Sequence, residues 1–328
     1  MLRTAVSLIA IACGLAGPLP AHAQTSIKIN LAHGGDAAHP WHTAAKQFAE
    51  EVKTRSHGAL SVQLYTGGQR GNDREMLEAT QSGSLQISAI PTTAMSRFEP
   101  SFQIFDFPYL MPSYAVAYKV LDGEIGRQIA AKLREKGLRN LAYWENDYRQ
   151  LSNSERPLVA VDDVAGLKIG VSETPITVAW LHALKAIPTI IDDTQLYASL
   201  QHRVVDGQDH GIFRLYSERY YEVQPYCTLT NHVYEPVAFL INERFFQSLS
   251  PEHRHIIQQA AERARDYQRS LNKSLRDKRL DEMKRSGLKV SELSPQSRHR
   301  FRMSAQPVYE KMKGVVDMRL LQQILNLQ

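Results

Sequence analysis

Apolar and polar positions alternate in short runs that switch repeatedly between period two and a helical period. Residues 27–31, Ile-Lys-Ile-Asn-Leu, alternate as a strand with one buried face. After the loop AHGGDAAHP, Trp41, Ala45, Phe48 and Val52 recur at helical spacing, with Pro40 where a missing backbone donor costs little. The pattern predicts further strands at 61–65, 85–90, 138–143, 168–171, 188–192 and 236–241. It predicts helices at 73–81, 114–136, 176–186 and 194–200. Strand and helix in this rhythm predict an α/β layered fold. The stretch 236–241, Pro-Val-Ala-Phe-Leu-Ile, is apolar throughout, as the centre of a covered sheet requires.

The longest periodic run begins at Pro251. Ser250 caps it, Pro251 suits the first helical position, and Glu252 suits the positive end. Ile256, Ile257, Ala260, Ala264, Tyr267, Leu271, Leu275 and Leu280 keep helical spacing towards Arg285. A single helix here would be roughly 50 Å long, more than the width of one small domain. The alternative is two helices broken near Asn272.

The N-terminus carries Arg3, then the apolar run AVSLIAIACGLAGPLP and the small-x-small sequence Ala21-His22-Ala23. This describes a cleavable export signal with cleavage after Ala23. About 305 residues remain, enough for two ordinary domains. Cys227 is then the only cysteine, so both domains must hold by packing without a disulfide. The net charge of +5 becomes +4 without Arg3. No basic stripe with interleaved aromatics supports nucleic-acid binding.

His33, His39 and His42 form H-x5-H-x2-H, without the partnering Cys or second pair of a zinc site, so no metal is expected. No nucleophile elbow or phosphate loop is present, and Cys227 reads as a buried small residue rather than as a dyad with His232. No enzymatic activity or cofactor is expected.

Six segments carry a resemblance: YTGGQRGNDREMLEATQSGSLQI, DFPYL, WENDYRQLSNSERPL, VDDVAGLKIGV, YASLQHRVVDGQDH and YYEVQPYCTLTNHVYEP. In their order and spacing, over more than 200 residues, the chain resembles the DctP-like solute receptors of tripartite ATP-independent periplasmic (TRAP) transporters. The resemblance implies two α/β lobes of the periplasmic, Venus-flytrap type, closing over a ligand, with a long helix across both. It implies a first lobe at 24–148, with approximately 235–265 returning to it. The second lobe would be 149–234, completed by approximately 266–328. A periplasmic receptor for a small organic acid is implied, delivering it to the integral membrane subunits of the transporter. A sensor subunit serving a membrane receptor kinase is the alternative. A monomer is expected, with a dimer possible.

Site residues follow from the same resemblance. Arg149 falls on the first family arginine and is expected to clamp the ligand carboxylate, a planar guanidinium matching two carboxylate oxygens. Its alternative is a surface or inter-lobe salt bridge. Where the family usually reads GLKIR, this chain ends on Gly170, and space there could admit a larger ligand head or a water. Where the family reads VDGQEN, this chain has His210, a candidate donor. Arg97 and Arg214 are candidate replacements for the missing arginine. His33, Glu75, Phe107, Tyr148, Phe213, His232 and Tyr234 complete the expected pocket, with burial in a lobe core as the alternative for the last four. Glu75 has the alternative of an acid stabilising a helix start.

Overall fold

The computed structural model describes residues 26–328, so the expected signal at 1–23 lies outside the described residues. Its strands in chain order are β1 (Ile27–His33), β2 (Leu60–Tyr65), β3 (Ile87–Pro91), β4 (Leu138–Tyr148) and β5 (Leu151–Asn153), then β6 (Lys168–Val171), β7 (Ile187–Ile190) and β8 (Gly207–Gln208), and finally β9 (Tyr226–Leu229), β10 (Tyr234–Asn242) and β11 (Lys289–Glu292). They form two sheets, ordered β2-β1-β3-β10-β4 and β11-β9-β5-β8-β6-β7. Each sheet is the centre of one lobe.

In the first sheet β1 pairs in parallel with β2 and β3, and β10 runs antiparallel between β3 and β4. All nine residues of β10 are buried, as its apolar sequence predicted. Trp144 of β4 stacks on Phe239 of β10 with centroids 4.4 Å apart, and Phe48 meets Phe239 edge-on from the helix Pro40–Arg55. In the second sheet β6 pairs in parallel with β7 and β8, and β11 with β9.

The chain crosses between sheets at Arg149–Gln150, joining β4 to β5, and at residues 230–233, joining β9 to β10. These crossings run side by side: Arg149 N donates to Val233 O (2.8 Å) and His232 N to Arg149 O (3.3 Å).

The third crossing is one unbroken helix, Pro251–Arg285, capped by the Ser250 side chain. Ile257, Ala260, Ala261 and Ala264 pack in the core of the first lobe, and Leu280 and Met283 in that of the second. Between them, Gln268 brackets the backbone of Glu145 (3.0 and 2.9 Å) and Arg276 Nε meets Asp147 (2.6 Å). Among the described residues, no helix is long and apolar enough to cross a membrane.

Two sequence expectations change. The stretch 114–136 is not one helix but Tyr114–Leu121 and Glu124–Ala131, broken at Asp122–Gly123. A Cβ on Gly123 would lie 2.3 Å from Lys119 O, so the chain turns there where only glycine fits. The short strands β5, β8, β9 and β11 were not predicted, nor were the helices Pro295–Met303, Gln306–Lys311 and Met318–Leu325. That C-terminal segment joins the lobes: the Trp180 indole donates to Ser304 Oγ (3.1 Å), and Tyr309 Oη to Pro108 O (2.8 Å).

Candidate functional site

Polar side chains from both lobes meet along the seam between the sheets. From the first lobe, His33 closes β1, wholly buried, its Nε2 3.4 Å from His42 Nδ1. Burial, reinforced by His42, lowers its pKa to about 3, so the ring is neutral. His39 caps the helix Pro40–Arg55 by accepting from Trp41 N (3.2 Å), and burial likewise keeps it neutral. Asp73 opens the helix Asp73–Ser82; burial pushes its pKa up to about 7, partly offset by Arg214.

From the second lobe, Asp193 opens the helix Asp193–Gln201. Its Oδ2 lies 2.8 Å from Arg214 Nη1, and its Oδ1 lies 3.4 Å from His210 Nε2. Burial alone would raise the Asp193 pKa, but Arg214 and His210 outweigh it and hold the carboxyl well below the usual range. Tyr220 stands beside His210, with ring centroids 6.2 Å apart.

Arg149 lies in the crossing beneath these groups, 1% exposed. Its Nε donates to Asp209 O (2.6 Å), Nη2 to Asp209 Oδ1 (2.7 Å) and Nη1 to Glu235 Oε1 (3.1 Å). Glu235 also accepts from Asn146 Nδ2 (2.6 Å). His232 Nε2 sits 3.6 Å from Asp209 Oδ2. Burial pushes Asp209 up, yet Arg149 and His232 hold its pKa below the ordinary value. One guanidinium therefore faces two buried carboxylates.

Towards solvent the seam holds a cavity of about 490 Å³, lined by Asp73, Leu77, Thr93 and Arg97 on one side and Ser172, Glu173, Ile190 and Asp193 on the other. Two contacts cross it: Arg97 pairs with Glu173, and Asn72 Nδ2 reaches Asp192 Oδ2 (3.5 Å). Many buried polar atoms along the seam have no protein partner, including His33 Nδ1, both ring nitrogens of His210, Asp193 Oδ1, Arg214 Nε and the Tyr220 hydroxyl. Buried polar groups without partners cost about 1–3 kcal/mol each, so such a concentration marks a place built to receive something polar.

The sequence matches the family model described as DctP, bacterial extracellular solute-binding protein, family 7, over residues 31–314. The chain belongs to this family. It is 33% identical over 249 residues to the 2,3-diketo-L-gulonate-binding periplasmic protein YiaO of Escherichia coli, covering 76% of each chain. To the C4-dicarboxylate-binding periplasmic protein DctP of Rhodobacter capsulatus it is 31% identical, covering 92% of this chain and 91% of the other. The crystal structure of the sugar acid binding protein DctPAm from Advenella mimigardefordensis, in complex with galactonate, superposes with a TM-score of 0.89 at 31% identity, over 92% of this chain and 97% of that one.

As a DctP-family protein, the chain is a TRAP-type solute receptor acting outside the cytoplasm, a binding protein of a transport system and not an enzyme. The two lobes and the helix spanning them are the architecture its resemblance implied. Within this receptor the expected site residues divide. His33, His210 and Phe213 stand at the seam; Phe213 lies 6.3 Å from His39, ring to ring across it. Arg149 and His232 lie at the crossing, engaged as described.

The others lie elsewhere. Glu75 is exposed and forms a capping box: its Oε2 accepts from Asn72 N (2.8 Å) while its own N–H donates to Asn72 Oδ1 (3.0 Å). Phe107 is core, packed on Tyr309 with centroids 4.8 Å apart. The Tyr148 hydroxyl donates to Met111 O (2.7 Å) and that of Tyr234 to Glu145 Oε2 (2.7 Å), both inside the first lobe.

Gly170 lies within the second lobe. A Cβ there would sit 2.8 Å from Leu196 Cδ1 and 3.3 Å from Val205 Cγ2, in the core of the second lobe. The direction a side chain would take from Gly170 is occupied by those two side chains. Asp73, Asp193 and Tyr220 were not singled out from the sequence. Acidic residues in a helix's first turn ordinarily stabilise the helix, and nothing local marks these two as facing each other. The trio His33, His39 and His42 does not converge with a third ligand: among the described residues, no group of three or more His, Cys, Asp or Glu side chains is arranged to hold a metal ion.

Proposed function

We propose that this receptor closes its lobes around a small organic acid and presents the closed form to the integral membrane subunits of a TRAP transporter. The observation that carries this is the seam itself. Both lobes contribute buried polar groups that lack protein partners, beside a cavity of about 490 Å³. A solute of matching polarity supplies those partners only when the lobes are shut, which couples binding to closure. The chemistry of the relatives supports an acid: 2,3-diketo-L-gulonate and galactonate each carry one carboxylate and several hydroxyls. A closing cleft works within one chain, so the receptor acts as a monomer, released from its signal by cleavage after Ala23.

Identifying the solute that copurifies with receptor secreted by its native host, by mass spectrometry, tests the reading. Titration calorimetry of that solute and of a panel of aldonates and dicarboxylates then follows. A carboxylate as the tightest ligand is the expected result. A neutral sugar or an organic cation binding more tightly than every acid overturns it.

A further inference from the structure

Position 170 is closed by Leu196 and Val205, and Arg149 faces two carboxylates in the crossing. Neither offers a free guanidinium edge to an incoming anion. Arg214 does. Its side chain is 17% exposed where that of Arg149 is 2%. Asp193 touches it at Nη1 only, with a single oxygen, at 2.8 Å. In a planar guanidinium, Nε–H and one Nη2–H lie on the same edge, away from Nη1. On that edge Nε is buried without any hydrogen-bond partner. That edge, with Asp193 held at Nη1, is the one left for a carboxylate to meet as the lobes shut.

The groups around this edge are as unsatisfied as the edge itself. His210 is 2% exposed; its Nε2 faces Asp193 Oδ1 at 3.4 Å without a well-aligned hydrogen bond, and its Nδ1 has no partner. The Tyr220 hydroxyl, 1% exposed, stands beside the Arg214 guanidinium without a well-aligned hydrogen bond. The set thus offers, beside the guanidinium edge, one anionic acceptor and two groups that can donate. A simple alkyl acid satisfies Arg214 and leaves Asp193 Oδ1 and His210 with only their long 3.4 Å contact. An acid with a hydroxyl next to its carboxylate satisfies both: the hydroxyl donates to Asp193 Oδ1 and accepts from His210.

Building on the organic-acid reading above, we infer that Arg214 grips the ligand carboxylate through its Nε/Nη2 edge, while Asp193 and His210 read an adjacent hydroxyl, making the receptor selective for hydroxy acids of the aldonate class. Arg149 then braces the crossing rather than meeting the ligand.

The test uses the full mature receptor, stripped of bound solute by partial unfolding and refolding. Calorimetry is run with D-galactonate, D-gluconate, their 2-deoxy analogues, the corresponding alditols, and succinate. Wild type should bind at least one aldonate, and the matching alditol, lacking the carboxylate, should bind undetectably. Arg214→Gln should weaken aldonate binding by more than about 30-fold, since two charge-assisted hydrogen bonds go together. Arg214→Lys, which keeps the charge but not the fork, should not restore it fully. Asp193→Asn should cut the preference for an aldonate over its 2-deoxy analogue to less than about a third of its wild-type value. Should Arg214→Gln fold poorly because Asp193 is left unpaired, the double variant Arg214→Gln/Asp193→Asn removes both charges and must show the same loss. Aldonate binding within about threefold of wild type in either folded variant overturns the role of Arg214 while the organic-acid reading stands. Succinate binding as tightly as the best aldonate overturns hydroxyl recognition. A wild-type receptor that prefers the alditols defeats the organic-acid reading itself, and this inference with it.

Discussion

Methionine in place of Arg149 keeps a flexible side chain of similar length and removes the charge that Asp209 and Glu235 share. Three hydrogen bonds of 2.6, 2.7 and 3.1 Å disappear, and two carboxylates, each no more than 2% exposed, lose their counter-ion. Removing one partner of a buried ion pair costs about 3–5 kcal/mol, because the remaining charge is left in a medium that solvates it poorly. Glu235 keeps the Asn146 amide, and Asp209 keeps a neutral His232 at 3.6 Å, so relief is partial. Denaturant unfolding of ligand-free receptor at pH 7 should therefore show a loss of about 3–5 kcal/mol. With the guanidinium gone, the burial that raises the Asp209 pKa loses its main opponent, so that carboxyl takes up a proton more readily folded than unfolded. The loss should shrink as pH falls towards 5 and grow towards 8. Adding Asp209→Asn and Glu235→Gln should recover at least half of it, as neutral replacements of buried pairs commonly do. Empty Arg149→Met receptor unfolding within about 0.5 kcal/mol of wild type, with acid binding lost, would refute this reasoning and make Arg149 the direct clamp.

Gly170→Ala places a methyl against Leu196 and Val205; it should lower stability by about 1–2 kcal/mol in thermal or denaturant unfolding and leave ligand affinity within twofold. Asp106 is 1% exposed, accepts from Ser96 Oγ (3.0 Å), and burial pushes its pKa up to about 7 against 3.8 when unfolded. The unfolded chain ionises first as pH rises, so stability falls between about pH 4 and 7. Asp106→Asn should remove that slope, its advantage over wild type growing by about 2–4 kcal/mol from pH 4 to pH 8 in paired denaturation curves. Asn272 is wholly buried in the long helix with neither amide atom hydrogen-bonded; Asn272→Leu should stabilise by about 1 kcal/mol or more, and a loss of stability would show that the amide is satisfied in solution.

Much of the fold was legible because periodicity reports burial directly. The helix Pro251–Arg285 buries an apolar face in each lobe, with Gln268, Arg269 and Asn272 buried between them, and β10 is apolar because both its faces are covered. The break at Asp122–Gly123 escaped because apolar spacing resumes on either side. The short strands escaped for a different reason: β8 has two residues and β5 three, too few for a period to be counted. They exist because Leu151–Asn153 lies between β8 and β9, a tertiary circumstance with no local signature. The C-terminal helices are amphipathic but short, and what fixes them is contact with Trp180 and Pro108 across the lobe junction.

The site was legible as a location and not as a set of charges. Arg149 lies at the crossing, and its partners stand 60 and 86 residues away, so nothing in WENDYRQ states that its donors are already engaged. Glu75 and Asp73 sit in one helical turn; 200° of rotation separates them, and only the fold decides that Asp73 faces the seam while Glu75 turns back on Asn72. An arginine carried over from a family pattern carries its charge but not its counter-charges. Here Asp209 and Glu235 neutralise Arg149, whereas Asp193 takes only one nitrogen of Arg214. Whether a guanidinium is structural or available is a question of which of its edges remains open, and that is settled by residues distant in sequence from the arginine itself.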